Sequence, residues 1–165
     1  MQESRAQTVQ LENRTFWPDG YHCFYRKTEK KGYSWVAIYS RTRPDRVVDQ
    51  FDWPLVDSEG LLIEIQIANL SILSIYALSG TSSSERQTLK FEFPERFAAL
   101  LSQFRNSGRD YIVCGDWNIA HRRIDLKNWR SNQIHSGFLP EERAWMGHLF
   151  READWIGLSS HQPAT

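Results

Sequence analysis

The sequence predicts an α/β fold organised around a mixed β-sheet. Three observations carry that expectation. Short runs rich in Ile, Val, Tyr and Trp recur through the first half. A long segment with helical spacing follows, and after it comes a short apolar run, Tyr111-Ile112-Val113-Cys114, which stops at Gly115 with polar residues directly behind it. Strands, helix, strand, polar loop and helix, in that order and with hairpins among the early strands, are the pattern of a mixed sheet with helical cover.

Each element has its own signal. Residues 21–26 form a short strand candidate, and the polar Lys27-Thr28-Glu29-Lys30-Lys31-Gly32 reads as a turn or hairpin loop into a strand over 34–40, where Trp35, Val36, Ile38 and Tyr39 favour extended backbone. A further extended piece is expected at 46–49. Residues 61–67 and 70–76 give the clearest β signal. Ile63, Ile65 and Ile67 alternate with Glu64 and Gln66, so one face reads as polar, whereas 70–76 is evenly apolar and reads as a central strand; Ala68-Asn69 joins the two as a hairpin. Serines 82–84 before Glu85 make a helix start, and Phe91, Phe97, Ala98, Leu100, Leu101 and Phe104 continue at helical spacing to Gly108, with Pro94 predicting either a kink or a break. Residues 111–114 are expected to be a buried strand. Residues 122–138 are mostly polar with little periodicity, and Pro140-Glu141-Glu142 opens a last helix running through Phe150.

Composition narrows the function classes. Hydrophobic residues make up 41%, with 7 Trp and 9 Phe, which excludes a disordered chain. Twenty Lys plus Arg balance twenty Asp plus Glu, so no global field draws the chain to nucleic acid, and any nucleic-acid chemistry must rest on a local basic patch. The two cysteines, Cys23 and Cys114, have no metal-ligand spacing; Cys114 reads as a buried thiol, and the usage fits a reducing cytoplasm. No apolar run reaches the length of a membrane span, and no leader-like basic and apolar stretch opens the chain.

The chemistry concentrates behind the run at 111–114. Ligands of α/β proteins sit beyond the carboxyl ends of strands, and Gly115-Asp116-Trp117-Asn118 stands there. If extended geometry persists to Asn118, the Asp116 and Asn118 side chains share one side and Trp117 takes the other. The carboxylate can orient or deprotonate a water or hold a hard cation, and the amide can donate to a phosphate oxygen. The same tetrapeptide also reads as a turn whose Asp and Asn merely cap backbone. His121 reads as a phosphate neighbour or as a capping residue, and the remaining histidines have no zinc spacing. Tyr76 ends its strand with a phenol that either donates to a phosphate or faces water. Lys127, Trp129 and Arg130, with Asn128 and Asn132, form a polar loop that suits a DNA backbone or simply a solvated loop pinned by a buried Trp. Phe138 is either an apolar wedge or plain packing.

Taken together, Gly115-Asp116-Trp117-Asn118-Ile119-Ala120-His121, Ile124-Asp125-Leu126-Lys127-Asn128-Trp129-Arg130-Ser131-Asn132 and Ser136-Gly137-Phe138-Leu139-Pro140-Glu141-Glu142-Arg143-Ala144-Trp145 closely resemble the bacterial exodeoxyribonuclease III family of AP endonucleases, within the endonuclease/exonuclease/phosphatase superfamily. Lys31-Gly32-Tyr33-Ser34, the run from Val36 to Arg41, and Tyr76 with Ser79-Gly80 extend the likeness, so that residues 1–156 read as a partial domain of this type and 157–165 as a divergent tail. The resemblance implies a four-layered α/β sandwich, incomplete here, and Mg²⁺- or Mn²⁺-dependent hydrolysis of DNA: 3′ to 5′ removal of nucleotides from duplex DNA and cleavage beside abasic sites in base excision repair. It makes Glu3 the metal-binding glutamate with Asp116 and Asn118 near it. Tyr76 becomes the tyrosine on the phosphate, Asp116 the residue that activates water, and Asn118 the donor to the transition state. Arg86, Lys127, Trp129 and Arg130 are implied to lie near DNA-facing loops. Relatives are usually monomeric.

The departures from the family pattern are equally definite. The family's first strand with its Asn, and its closing Arg-Ile-Asp and Ser-Asp-His segments, are not in these 165 residues; Trp35 replaces a usual Gly and Ala77-Leu78 a usual Pro-containing pair. The expectation is a chain truncated at both ends, inactive and marginally folded alone, and prone to self-association through exposed sheet edges. Two alternatives stand beside the nuclease: a catalytically dead chain that binds DNA or complements another chain, and a phosphatase of the same superfamily.

Overall fold

The computed structural model describes residues 14–26, 36–77, 84–151 and 155–157, with the side chains of 15 and 84–91 left aside. Glu3, the hairpin loop at 27–32 and Trp35 lie outside the described residues, as does the loop at 78–83. The chain divides into two compact units, one formed by Met1–Ala77 with Gly108–Asp116 and the other by Leu78–Ser107 with Trp117–Thr165.

The first unit holds two sheets. Strands β1 (His22–Arg26) and β2 (Val36–Ser40) pair antiparallel, and a four-stranded sheet has the order β3 (Arg46–Val48), β4 (Leu62–Ile67), β5 (Leu70–Tyr76) and β6 (Asp110–Asp116). β3 pairs antiparallel with β4, β4 antiparallel with β5, and β5 parallel with β6, so the sheet is mixed as expected. The period-2 pattern of β4 decides which face meets the other sheet: Ile63 and Ile65 pack with Val36 and Ile38, with Phe24, Ile67, Ile72 and Tyr76 around them. The opposite face of β4 is polar in sequence but not in exposure. Glu64 is 4% exposed and accepts a 2.7 Å bond from Gln66 Nε2, a buried carboxylate kept by a local donor.

The β4–β5 hairpin turns at Ala68, which adopts a left-handed φ of 47°. An alanine there costs about 1 kcal/mol. Tertiary bonds hold it: the Ala68 N–H donates to Asp45 Oδ2 at 2.8 Å, and Arg109 Nη2 donates to the Ala68 carbonyl at 2.9 Å. Helix α1 (Pro54–Glu59) was not foreseen from sequence. Proline opens it, and Asp57 accepts bonds from the Phe51 and Trp53 amides that tie down its entry.

β6 corrects the expectation of a buried strand. Among the described residues it pairs only with β5, and exposed residues alternate along it: Ile112 is 48% exposed, and Cys114 is an exposed thiol rather than a buried one. Apolarity of residue type fixed the strand but not its cover, because the partner of an edge strand is supplied by other parts of the chain.

In the second unit, α2 (Ser84–Asn106) runs unbroken through Pro94, so the break left open by the sequence does not occur. Phe93, Phe97, Leu101 and Phe104 are buried along it, and the Phe93 and Phe97 rings stack at 5.4 Å. That apolar stripe outweighs the one donor a proline removes. Two short turns follow, a 3₁₀ turn at Arg123–Asp125 and α3 (Trp129–Asn132), in the segment read as aperiodic, and then α4 (Pro140–Arg151). Among the described residues no helix is long and apolar enough to cross a membrane.

Candidate active site

Parallel pairing of β5 with β6 brings two of the sequence candidates together. Tyr76 and Asp116 are register partners at the carboxyl ends of adjacent strands, so their side chains leave the sheet on the same face. The Ala77 N–H donates to the Asp116 carbonyl at 2.8 Å and the Tyr76 N–H to the Leu61 carbonyl at 2.9 Å, which fixes the backbone on both sides of the pair. Tyr76 rests its ring on the core between the sheets and is partly exposed.

The glycine before Asp116 has a steric reason. A Cβ on Gly115 would interpenetrate the Ile75 side chain and its carbonyl oxygen and lie 3.0 Å from the carbonyl carbon. Only glycine lets β6 close on β5 one residue before the Tyr76/Asp116 pair.

Asn118 does not continue the strand. β6 ends at Asp116, and Asn118 adopts φ 50° in the left-handed region, so the sequence argument that strand alternation aligns Asp116 with Asn118 fails. Asparagine tolerates this conformation better than most residues. Trp117 is anchored within the second unit, edge-on to Phe97 at 5.4 Å and 6.2 Å from the Trp145 ring. The backbone after Asn118 is tied down as well: the Ala120 N–H donates to the Gly137 carbonyl at 2.8 Å, and the His121 carbonyl accepts from Arg143 Nε at 3.1 Å.

The His121 ring stands edge-on to Phe150 at 5.4 Å. Burial, with Arg122 and further arginines adding to it, holds its pKa below the usual histidine value. It is therefore neutral near pH 7 and is poorly suited to act as a cation on a phosphate. Phe138 is 2% exposed and lies under the Arg143 guanidinium at 4.6 Å, which resolves the wedge or packing question in favour of packing.

Lys127 and Arg130 are exposed, and Trp129 is partly buried. Arg130 stacks 4.7 Å from the Trp129 ring centroid and Arg123 4.4 Å from it. Trp129 thus organises two guanidiniums. Arg123 was not singled out from sequence; its place beside Arg122, six residues ahead of the Trp, was the only trace of it. The Asn128 carbonyl, accepting from Ser131 Oγ at 3.0 Å and Asn132 Nδ2 at 2.8 Å, closes the turn that carries Trp129 and Arg130. Residues 122–130 hold Arg122, Arg123, Lys127 and Arg130 against Asp125 alone, a basic patch in a neutral chain. The Arg86 side chain lies outside those described.

A hard divalent cation takes oxygen ligands, and Mg²⁺ commonly takes one or two carboxylates and keeps several waters. Among the described residues no three His, Cys, Asp or Glu side chains gather as a cation site. Asp116 is the carboxylate that β6 brings to the sheet's carboxyl end, and it fits the donor chemistry of such an ion.

A family model described as the endonuclease/exonuclease/phosphatase family matches residues 1–164. The exodeoxyribonuclease of Bacillus subtilis is 29% identical over 161 residues, 98% of this chain and 62% of the relative. The DNA repair nuclease APEX1 of Danio rerio is 31% identical over 127 residues, 76% of this chain and 41% of the relative. Among solved structures, an AP endonuclease from Archaeoglobus fulgidus superposes with a TM-score of 0.75 at 27% identity, covering 91% of this chain and 58% of that one. The chain thus spans about three fifths of the length of these relatives or less.

Proposed function

The chain belongs to the endonuclease/exonuclease/phosphatase family, and from that premise we propose that it carries part of the active site of a DNA repair nuclease, a metal-dependent phosphodiester hydrolase that removes nucleotides from 3′ ends and cuts beside abasic sites. The observation that supports this best is the Tyr76/Asp116 register pair at the carboxyl ends of two parallel strands. Relatives named as a DNA repair nuclease and as an endonuclease of apurinic or apyrimidinic sites support DNA with abasic sites as the substrate, and the proposal extends this to duplex DNA and its 3′ ends. A reducing cytoplasm is the setting in which we place it.

In this reading Asp116 orients a water and accepts its proton as the water attacks phosphorus, while the P–O3′ bond breaks and the leaving 3′ oxygen takes a proton from solvent. The Tyr76 phenol donates to a non-bridging phosphate oxygen from the same side of the sheet. Asn118, held in a left-handed turn, directs its amide N–H to the oxygen whose charge grows in the transition state. Lys127, Arg130 and Arg123 meet the DNA backbone, with Trp129 keeping the two guanidiniums in place. Glu3, with Asp116 near it, would hold Mg²⁺ or Mn²⁺, which when bound would supply Lewis-acid polarisation of the phosphate.

The experiment is incubation of the purified chain with a duplex containing one abasic site, in Mg²⁺ and in EDTA, beside Asp116→Ala. Incision that needs Mg²⁺ and disappears in the variant is the expected signature of the hydrolase. Retention of the duplex without incision favours a second reading, supported by the Arg123/Trp129/Arg130 cluster, in which the chain binds DNA and complements another chain. A chain that neither retains nor cuts the duplex, yet releases phosphate from nucleotides or phosphorylated lipids, would mark it instead as a phosphatase.

A further inference from the structure

Two adjacent residues in the first turn of α4 grip the turn at 136–139 and the loop that follows Asn118. Glu142 is 5% exposed. Its carboxylate accepts from Gly137 N–H at 2.7 Å, Leu139 N–H at 3.1 Å and Ser136 Oγ at 3.3 Å. The Leu139 bond is half of a capping box, satisfying a donor that the start of a helix leaves free. The other two go further and fix the turn before the helix. A buried carboxylate with three donors is a stiff anchor, since any displaced donor leaves charge without a partner.

What that anchor holds is Gly137. Its N–H goes to Glu142, and its carbonyl receives the Ala120 N–H at 2.8 Å. Gly137 has φ 97°, and a Cβ there would lie 3.1 Å from the Asn118 carbonyl oxygen, so the two backbones are in close contact. Arg143 closes the same arrangement from the other side. Its Nε donates to the His121 carbonyl at 3.1 Å, and its guanidinium covers the buried Phe138 ring. One residue of α4 thus grips the turn at 136–139 and the next grips the loop at 118–121, with the Ala120–Gly137 bond between them.

We infer that Glu142 and Arg143 are positioning residues for Asn118: through Gly137 and the backbone of residues 120–121 they hold the left-handed turn in which Asn118 presents its amide. This rests on the role proposed for Asn118, but the linkage itself is testable without catalysis. A left-handed φ of 50° is sparsely populated for a residue with a side chain, so the conformation of Asn118 persists where the surrounding backbone holds it. Catalytic donors act only when held within a few tenths of an ångström of the productive geometry.

The test is residue-resolved amide hydrogen exchange on the whole chain, in buffer without metal or DNA. Glu142→Ala is expected to speed exchange at the Ala120 amide by about tenfold or more, the protection given by one hydrogen bond, and to shift the Asn118 side-chain amide resonances. Amides at the centre of β4 and β5 should be unchanged. Glu142→Gln, which keeps one acceptor oxygen, should restore most of the protection; if Glu142→Ala does not fold, the same comparison is made with Arg143→Ala. Exchange at Ala120 that stays at the wild-type rate, or that rises equally throughout both units, overturns the inference. If the chain shows no Mg²⁺-dependent incision but these shifts occur, the proposed activity fails and the linkage stands. If incision is present and falls equally in Glu142→Ala and Glu142→Gln while exchange at Ala120 is unmoved, the linkage fails and the activity stands.

Discussion

Replacing Gly115 by alanine tests the close approach on which the Tyr76/Asp116 pair depends. The added methyl would occupy space held by the Ile75 side chain and backbone carbonyl. A side-chain end can rotate away, but a carbonyl in a paired strand cannot, so β6 must draw back from β5 by roughly 1 Å to restore ordinary contact. Ladder bonds near 2.9 Å would then lie beyond useful hydrogen-bond distance. One or two lost bonds at about 1 kcal/mol each, with about 1–2 kcal/mol of residual crowding, give about 2–4 kcal/mol. At roughly 3 °C per kcal/mol for a chain of this size, Tm should fall by about 6–12 °C. The assay is thermal unfolding followed by circular dichroism, with Gly108→Ala as the control. Gly108 meets nothing within 4 Å and has φ 73°, so its substitution carries backbone strain alone, about 1–2 kcal/mol. A Gly115→Ala protein melting within 2 °C of the wild type would refute the packing argument, as would one no less stable than Gly108→Ala.

Two further outcomes follow from single side chains. His121 should titrate below the ordinary histidine range in NMR pH titrations, because burial disfavours its charged form. Its unfolded form binds a proton more readily, so this contribution to stability is present above about pH 6.5 and is lost as pH falls toward the lower folded value; His121→Gln should flatten that acid limb, and an unchanged slope would contradict the assignment. Phe138→Ala should cost about 3–5 kcal/mol in chemical denaturation, as expected for an aromatic ring removed from a 2% exposed position, whereas a loss under 1 kcal/mol would return Phe138 to the role of a projecting wedge.

How much of this was readable beforehand varies with the range of the interaction involved. The strands at 22–26, 36–40, 46–48, 62–67 and 70–76 follow from local apolar patterning, and their observed ends fall within two residues of the expected ones. The mixed sheet follows from the hairpin signal plus one long helical crossover. Patterning was silent on α1, where a proline start and a carboxylate bonded to two upstream amides do the work of an apolar face. It also read the Glu64 face as polar without foreseeing that Glu64 is buried, and it misread Cys114 as buried. In both cases the residue type gives a local preference, while burial depends on what the rest of the chain lays over that face.

The site divides along the same line. Sequence by itself placed Tyr76 at the end of one strand, Asp116 and Asn118 directly behind another, and a basic, aromatic-bearing segment after them, because these are properties of neighbouring residues. Tertiary structure alone decided that Tyr76 and Asp116 are register partners, since pairing between residues forty positions apart cannot be read from either strand. It also decided that Asn118 turns out of the strand into a left-handed conformation, and that Gly137, Glu142 and Arg143 hold the segment behind it. Chain propensity proposes where a polar group can stand, and only packing and hydrogen bonds from distant residues fix the direction in which it points.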